Sequence, residues 1–174
     1  GKLQASKIFE NIWIQPASGD AGGALGAALF ANYQLLKRDR IVQKNDSMKG
    51  SYLGPRFEND EISGFLKKHN APSHFFPNED ELLDQVCDAI EGEKIVGWFQ
   101  GRMEFGPRAL GGRSIIGDAR SERTQTQMNL SIKYRESFRP FAPSVLEEKS
   151  AEYFELDIPS PYMLLVAPIK KQIR

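Results

Sequence analysis

The stretch KIVGWFQGRMEFGPRALGGRSIIGDA, residues 94–119, decides the fold. Its first part, KIVGWFQ, is a compact apolar run rich in β-branched and aromatic residues and predicts a buried strand. Its last part, RSIIGDA, predicts another. Between them, glycines at 101, 106, 111 and 112 stand beside Arg102, Arg108 and Arg113. Glycine lets backbone amides approach a ligand closely or adopt positive φ, and guanidinium groups bind phosphate oxygens bidentately while keeping their charge. The combination suits a phosphate.

Toward the C-terminus, SERTQTQMNLSIKY (121–134) predicts a helix capped by Ser121, APSVLEE (142–148) a strand with a short helix, and YMLLVAPI (162–169) a last strand. The segment KYRESFRPFAP (133–143) sets Lys133, Arg135 and Arg139 around Phe138 and Phe141, with Pro140 and Pro143 stiffening the backbone. In extended form Lys133 and Arg135 share a face that can clamp a triphosphate. Phe138 and Phe141 are read as core residues, with stacking on a base as the alternative. Residues 101–140 are locally basic, but Glu104, Asp118, Glu122 and Glu136 lie among the cations. Ordinary surface ion pairing is the competing reading.

Toward the N-terminus, two helices are predicted. Residues 58–69 carry Ile62, Phe65 and Leu66 at helical spacing, and 78–91 carry Leu82, Leu83, Val86 and Ile90 behind an Asn78 cap. Cys87 falls in that second pattern and is read as a buried thiol. Residues 41–56 have loop chemistry and mark a boundary. Before them, ENIWIQ (10–15) alternates as a strand would and Pro16 ends it. PASGDAGGALGAA (16–28) then hands over to an alanine-rich helix, placing Gly19, Asp20, Gly22 and Gly23 at a helix N-terminus, where anions and metal-bound phosphates bind. Asp20 is either a helix-start residue or a carboxylate for a divalent metal. His69 and His74 have no partners at ligand spacing and are given no role. Mixed strands and helices without a regular βαβ rhythm predict an α+β fold.

The chain has 174 residues, 40% of them hydrophobic, enough for one sizeable core. Its 23 basic and 23 acidic side chains cancel, so no global field steers it toward nucleic acid or anionic membrane, and any anion site must be local. One cysteine excludes an internal disulfide framework. Without a leader-like or membrane-spanning run, the cytoplasm is the expected compartment. The start at Gly1 and the end on KKQIR suggest a piece of a longer chain.

Four strings, IQPASGDAGGALGAAL, YLGP, GWFQGRMEFGPRALGGRSIIGDAR and KYRESFRPFAPSVLEE, together resemble the O-carbamoyltransferases, the family that includes nodulation protein U and antibiotic-tailoring carbamoyltransferases. The resemblance implies that residues 1–40 close an ASKHA-type (actin-like) carbamoyl-transfer domain as a strand-helix remnant, that 41–56 form a linker, and that 57–174 make up most of a YrdC-like domain. That domain would be a mixed twisted sheet with flanking helices, incomplete at its C-terminus. The implied reaction forms carbamoyl-adenylate from carbamoyl phosphate and ATP with Mg²⁺, then transfers the carbamoyl group to a small-molecule hydroxyl.

Carried over by position, the resemblance gives Arg108, Lys133 and Arg139 the catalytic handling of the phosphates, with Arg102, Arg113 and Arg135 in support. Gly19, Gly22 and Gly23 match a nucleotide-contacting turn. Asp20 matches one ligand of a divalent metal, iron or manganese, whose histidine ligands lie outside this chain. The family carries asparagine where this chain has Gly112. The alternative is a YrdC-like RNA- or nucleotide-binding module without transferase activity; self-association is left open.

Overall fold

The computed structural model describes residues 1–173; Arg174, the last residue of the expected 57–174 domain, lies outside the described residues. Helices and strands are mixed, as an α+β class requires. The chain forms two compact units. One contains residues 1–54, 104–110 and 144–174; the other contains 55–103 and 111–143.

In the second unit, the two amphipathic helices lie where their spacing predicts them. Helix α3 spans Asn59–Lys68, and its entry is fixed by Glu58, whose N–H donates to the Glu61 carboxylate at 3.0 Å. Helix α4 spans Glu79–Glu91 behind Asn78, whose side chain accepts the Asp80 N–H at 2.9 Å. Strands β1 (Val96–Phe99) and β2 (Arg113–Ile116) pair antiparallel, with Val96 opposite Ile116 and Phe99 opposite Arg113. The pairing continues one step, Gln100 N–H donating to the Gly112 carbonyl at 3.0 Å. β1 alternates half-buried and exposed instead of being buried, because only one face of a two-stranded ribbon is covered. Helix α5 is only Thr124–Gln127 and widens into a π turn at Met128–Ile132. It starts later than its sequence predicts: the Ser121 hydroxyl donates to Glu93 at 2.7 Å, and Arg123 occupies the cap position.

The first unit holds α1 (Lys2–Ala5), α2 (Asp20–Phe30), which runs on into a π turn at Ala31–Leu35, a tight turn at Lys49–Ser51, and α6 (Ser150–Tyr153). The strands expected over ENIWIQ and APSVLEE do not form, and YMLLVAPI contributes only the bridge Phe154–Ile169. Alternation makes a strand only where a partner edge exists. Ile12 and Ile14, at 40% and 41% exposure, have none among the described residues.

The sizeable core predicted from composition is not built among the described residues. The buried hydrophobic residues among those described are Met48 and Met128. The accessible surface is 14267 Å², where a monomer of this mass would ordinarily expose about 8,600 Å². Helices α3 and α4 bury no residue completely. Cys87, read from sequence as buried, is exposed. It sits beside the partly covered stripe of Leu82, Val86, Ala89 and Ile90, not on it. Phe138, read as core, is 77% exposed.

Candidate functional site

The first unit contains the more enclosed site. Ala17, just before α2, takes a left-handed conformation with φ 52°. Two glycines make room for it. A Cβ on Gly22 would stand 2.6 Å from the Ala17 carbonyl oxygen, and one on Gly106, at φ 102°, would stand 2.4 Å from the Ala17 Cβ. The Gly22 N–H donates to that same carbonyl at 2.8 Å. This close approach joins two motifs far apart in sequence, PASGD and EFGPRAL.

Around the contact is a cavity of about 280 Å³, lined by Ser18 and Gly19 on one side, Phe105, Pro107 and Arg108 on another, and Ser51 and Tyr162 on a third. Gly19 is the N-cap residue of α2, so the cavity lies at the positive end of an 11-residue helix. Arg108 is exposed, and no acidic side chain pairs with it among the described residues. The site therefore offers a cation, a helix end and aromatic and apolar walls to a compact anion.

The turn that bears Arg108 is firmly held. The Leu110 N–H donates to the buried Glu104 carboxylate at 2.6 Å, the Phe105 N–H to the Ser51 carbonyl at 2.6 Å, and the Tyr52 hydroxyl to the Leu110 carbonyl. Ser51 is itself 2% exposed and closes a run of three left-handed residues, Lys49, Gly50 and Ser51. The Asp46 carboxylate stabilises that strained run by accepting the Met48 N–H at 2.9 Å and the Gly50 N–H at 3.3 Å. Tyr162 donates its hydroxyl proton to Asp46 and accepts from the Gly50 N–H at 3.1 Å. That hydroxyl holds the Asp46 carboxyl below the usual carboxylate range. Burial, helped by the Asp46 bond, pushes Tyr162 up to about 12. Sequence reading missed Asp46, Ser51, Tyr52, Glu104 and Tyr162, since only the string YLGP pointed at this loop.

The second unit carries the other basic group. The Lys133 ammonium is exposed and makes no hydrogen bond or ion pair among the described residues. Arg135 donates through Nε to the Asn129 amide oxygen at 2.6 Å and lies over the Phe141 ring, 4.8 Å from its centroid. Arg139 pairs with Glu136 at 2.7 Å. The Glu136 carboxyl is lowered by its own backbone N–H first and by Arg139 next. Arg102 joins a bridge with Arg56, and Arg113 opens β2.

The competing reading of paired surface charge holds for part of the cluster. Arg120 is bound to Asp118 at 2.9 Å, holding the Asp118 carboxyl low, and Arg123 is bound to Glu93. Among the described residues no three His, Cys, Asp or Glu side chains converge. Asp20, at the start of α2, does not assemble a metal centre from the residues present. Gly23 has open space at its Cβ position. No helix among the described residues is long and apolar enough to cross a membrane.

A protein with such a site is equipped to hold a small anion, and comparison with known proteins gives it a family. The carbamoyltransferase C-terminus profile matches residues 87–174 and the carbamoyltransferase N-terminus profile matches residues 1–29. The chain belongs to the carbamoyltransferase family.

Among its relatives is the uncharacterized protein sll1178 of a Synechocystis strain, 58% identical over all of this chain and 28% of that protein. Nodulation protein NolO of Bradyrhizobium diazoefficiens is 40% identical over 90% of this chain and 28% of its own length. Nodulation protein U of Sinorhizobium fredii is 33% identical over 93% of this chain and 26% of its own length. The chain thus spans about a quarter of the curated relatives it matches.

Proposed function

We propose that this chain is the phosphate-handling part of an O-carbamoyltransferase that makes carbamoyl-adenylate from carbamoyl phosphate and ATP and passes the carbamoyl group to a small-molecule hydroxyl. The observation that carries the reading is Arg108, without an acidic partner among the described residues, on a cavity at the N-terminal end of α2. Lys133 and Arg139 are the further cations, with Arg102, Arg113 and Arg135 in support. These cations neutralise the phosphates of both substrates, with Mg²⁺ accompanying ATP. Water first cleaves the P–O bond of carbamoyl phosphate, releasing inorganic phosphate and carbamate; a carbamate oxygen then attacks the α-phosphorus of ATP, the bond from that phosphorus to the bridging oxygen of the β-phosphate breaks, and pyrophosphate leaves with the electron pair. The acceptor hydroxyl then attacks the carbamoyl carbon and AMP departs.

In this reading Gly19, Gly22 and Gly23 form a backbone cradle, residues 1–40 close an ASKHA-type domain, and residues from 57 onward contribute a YrdC-like one. No step is routed through a metal at Asp20. The test is carbamoyl-phosphate-dependent release of pyrophosphate from ATP by the full-length enzyme. Lys133→Ala and Arg139→Ala are each expected to slow it by about 10²-fold; unchanged rates in both would remove these residues from the reaction.

A further inference from the structure

Asn129 is fully buried and every polar group of its side chain is used. It lies on the π turn Met128–Ile132, just before the basic loop. Its Nδ2 donates to the Ser137 carbonyl at 3.0 Å and to the Arg139 carbonyl at 2.8 Å, while its Oδ1 accepts from Arg135 Nε at 2.6 Å. Its own backbone carbonyl accepts the Arg135 N–H at 3.0 Å. Gln125, one turn earlier, adds bonds from Nε2 to the Phe138 carbonyl at 3.2 Å and the Arg139 carbonyl at 3.1 Å.

We propose that Asn129 is the positioning residue of the basic loop: it folds residues 135–139 back onto the π turn and thereby sets where Lys133 and Arg139 present their charges. A buried amide is costly unless fully bonded, and a fully bonded one admits a single arrangement of its partners. Only a side chain with two donors and one acceptor in a short planar head serves all three contacts. Leucine offers none, and aspartate keeps the acceptor for Arg135 but loses both donors to the loop carbonyls. The π turn belongs to the same device, since the Lys133 N–H reaches the Met128 carbonyl at 3.0 Å and Lys133 leaves the helix at the point where Asn129 points inward. Asn129 touches no substrate in this account; it acts through the loop.

The proposal rests on the reading of that loop as phosphate-handling, and the experiment separates the two. In the full-length enzyme, KM and kcat for ATP and carbamoyl phosphate are measured for Asn129→Asp, Asn129→Ala, Gln125→Ala and Lys133→Ala, with the thermal midpoint of each. Asn129→Asp and Asn129→Ala are expected to raise KM for a phosphate substrate by about tenfold, and Gln125→Ala by less. A purely structural role would lower the active fraction, and so apparent kcat, with KM unchanged. If the Asn129 variants do not fold, exposed Gln125 decides: a raised KM supports the proposal and a native KM overturns it. Native KM values in the Asn129 variants beside a raised KM in Lys133→Ala overturn the positioning role alone. A native KM in Lys133→Ala overturns the reading of the loop and the proposal with it.

Discussion

Single residues decide whether the cavity exists. Ala17 occupies a left-handed conformation in a gap that only glycine at 22 and 106 leaves open. Gly106→Ala is expected to cost about 1–3 kcal/mol, because its Cβ would overlap the Ala17 methyl and its φ of 102° disfavours any side chain. Denaturant unfolding of the full-length protein checks it, and an unchanged midpoint would mean that the two turns do not touch. At this scale the sequence was partly legible. Gly19 and Gly22 are legible as glycines where a strand-like run hands over to a helix, whereas Arg108 stands out from its neighbouring cations only through the family resemblance of GPRALG. That Gly106 and Ala17 meet was not legible, because the contact joins positions far apart in the chain and local spacing carries no trace of it. Asn129 was hidden for another reason: a polar residue in an amphipathic helical pattern reads as solvated, and only the returning loop makes it the most buried side chain of the unit.

Among the elements, helices α3 and α4 and strands β1 and β2 follow their sequence patterns, because capping residues and compact apolar runs act locally. ENIWIQ and YMLLVAPI have equally good strand composition and remain unpaired apart from one bridge, since strand formation needs a neighbouring edge. The turn 46–51 is the element that polarity alone described least well. Its left-handed run is held by Asp46 and Tyr162, and this makes it sensitive to pH at both extremes. The Asp46 carboxyl is lowered from 3.8, so its contribution to stability is present above that value and is lost as pH falls through the lowered pKa. Tyr162 is raised from 10.0 to about 12, so its contribution is complete below pH 10 and is lost as pH rises toward 12. Thermal midpoints of the full-length protein measured against pH should show both losses, and Tyr162→Phe should remove the alkaline one and reduce the acid one. Identical profiles for the two proteins would show that the Tyr162–Asp46 bond does not hold the turn.

On the scale of the whole molecule, zero net charge conceals a sorting of cations into two kinds. Arg56, Arg120, Arg123 and Arg139 have carboxylate partners, whereas Arg108 and Lys133 have none among the described residues. The broad exposure of apolar side chains is a second molecular property: Ile62 at 41% and Phe65 at 62% lie on the face of α3 that amphipathic patterning directs inward. The central claim is that Arg108 and the basic loop that carries Lys133 and Arg139, not the basic stretch as a whole, handle the substrate phosphates. Calorimetric titration of the full-length protein with carbamoyl phosphate and with ATP tests it most directly, comparing Arg108→Ala and Lys133→Ala with the ion-paired control Arg120→Ala. Arg108→Ala and Lys133→Ala should each weaken binding of at least one ligand by about tenfold or more, with Arg120→Ala binding as the wild type does; equal losses in all three, or native affinity in the first two, would contradict the account.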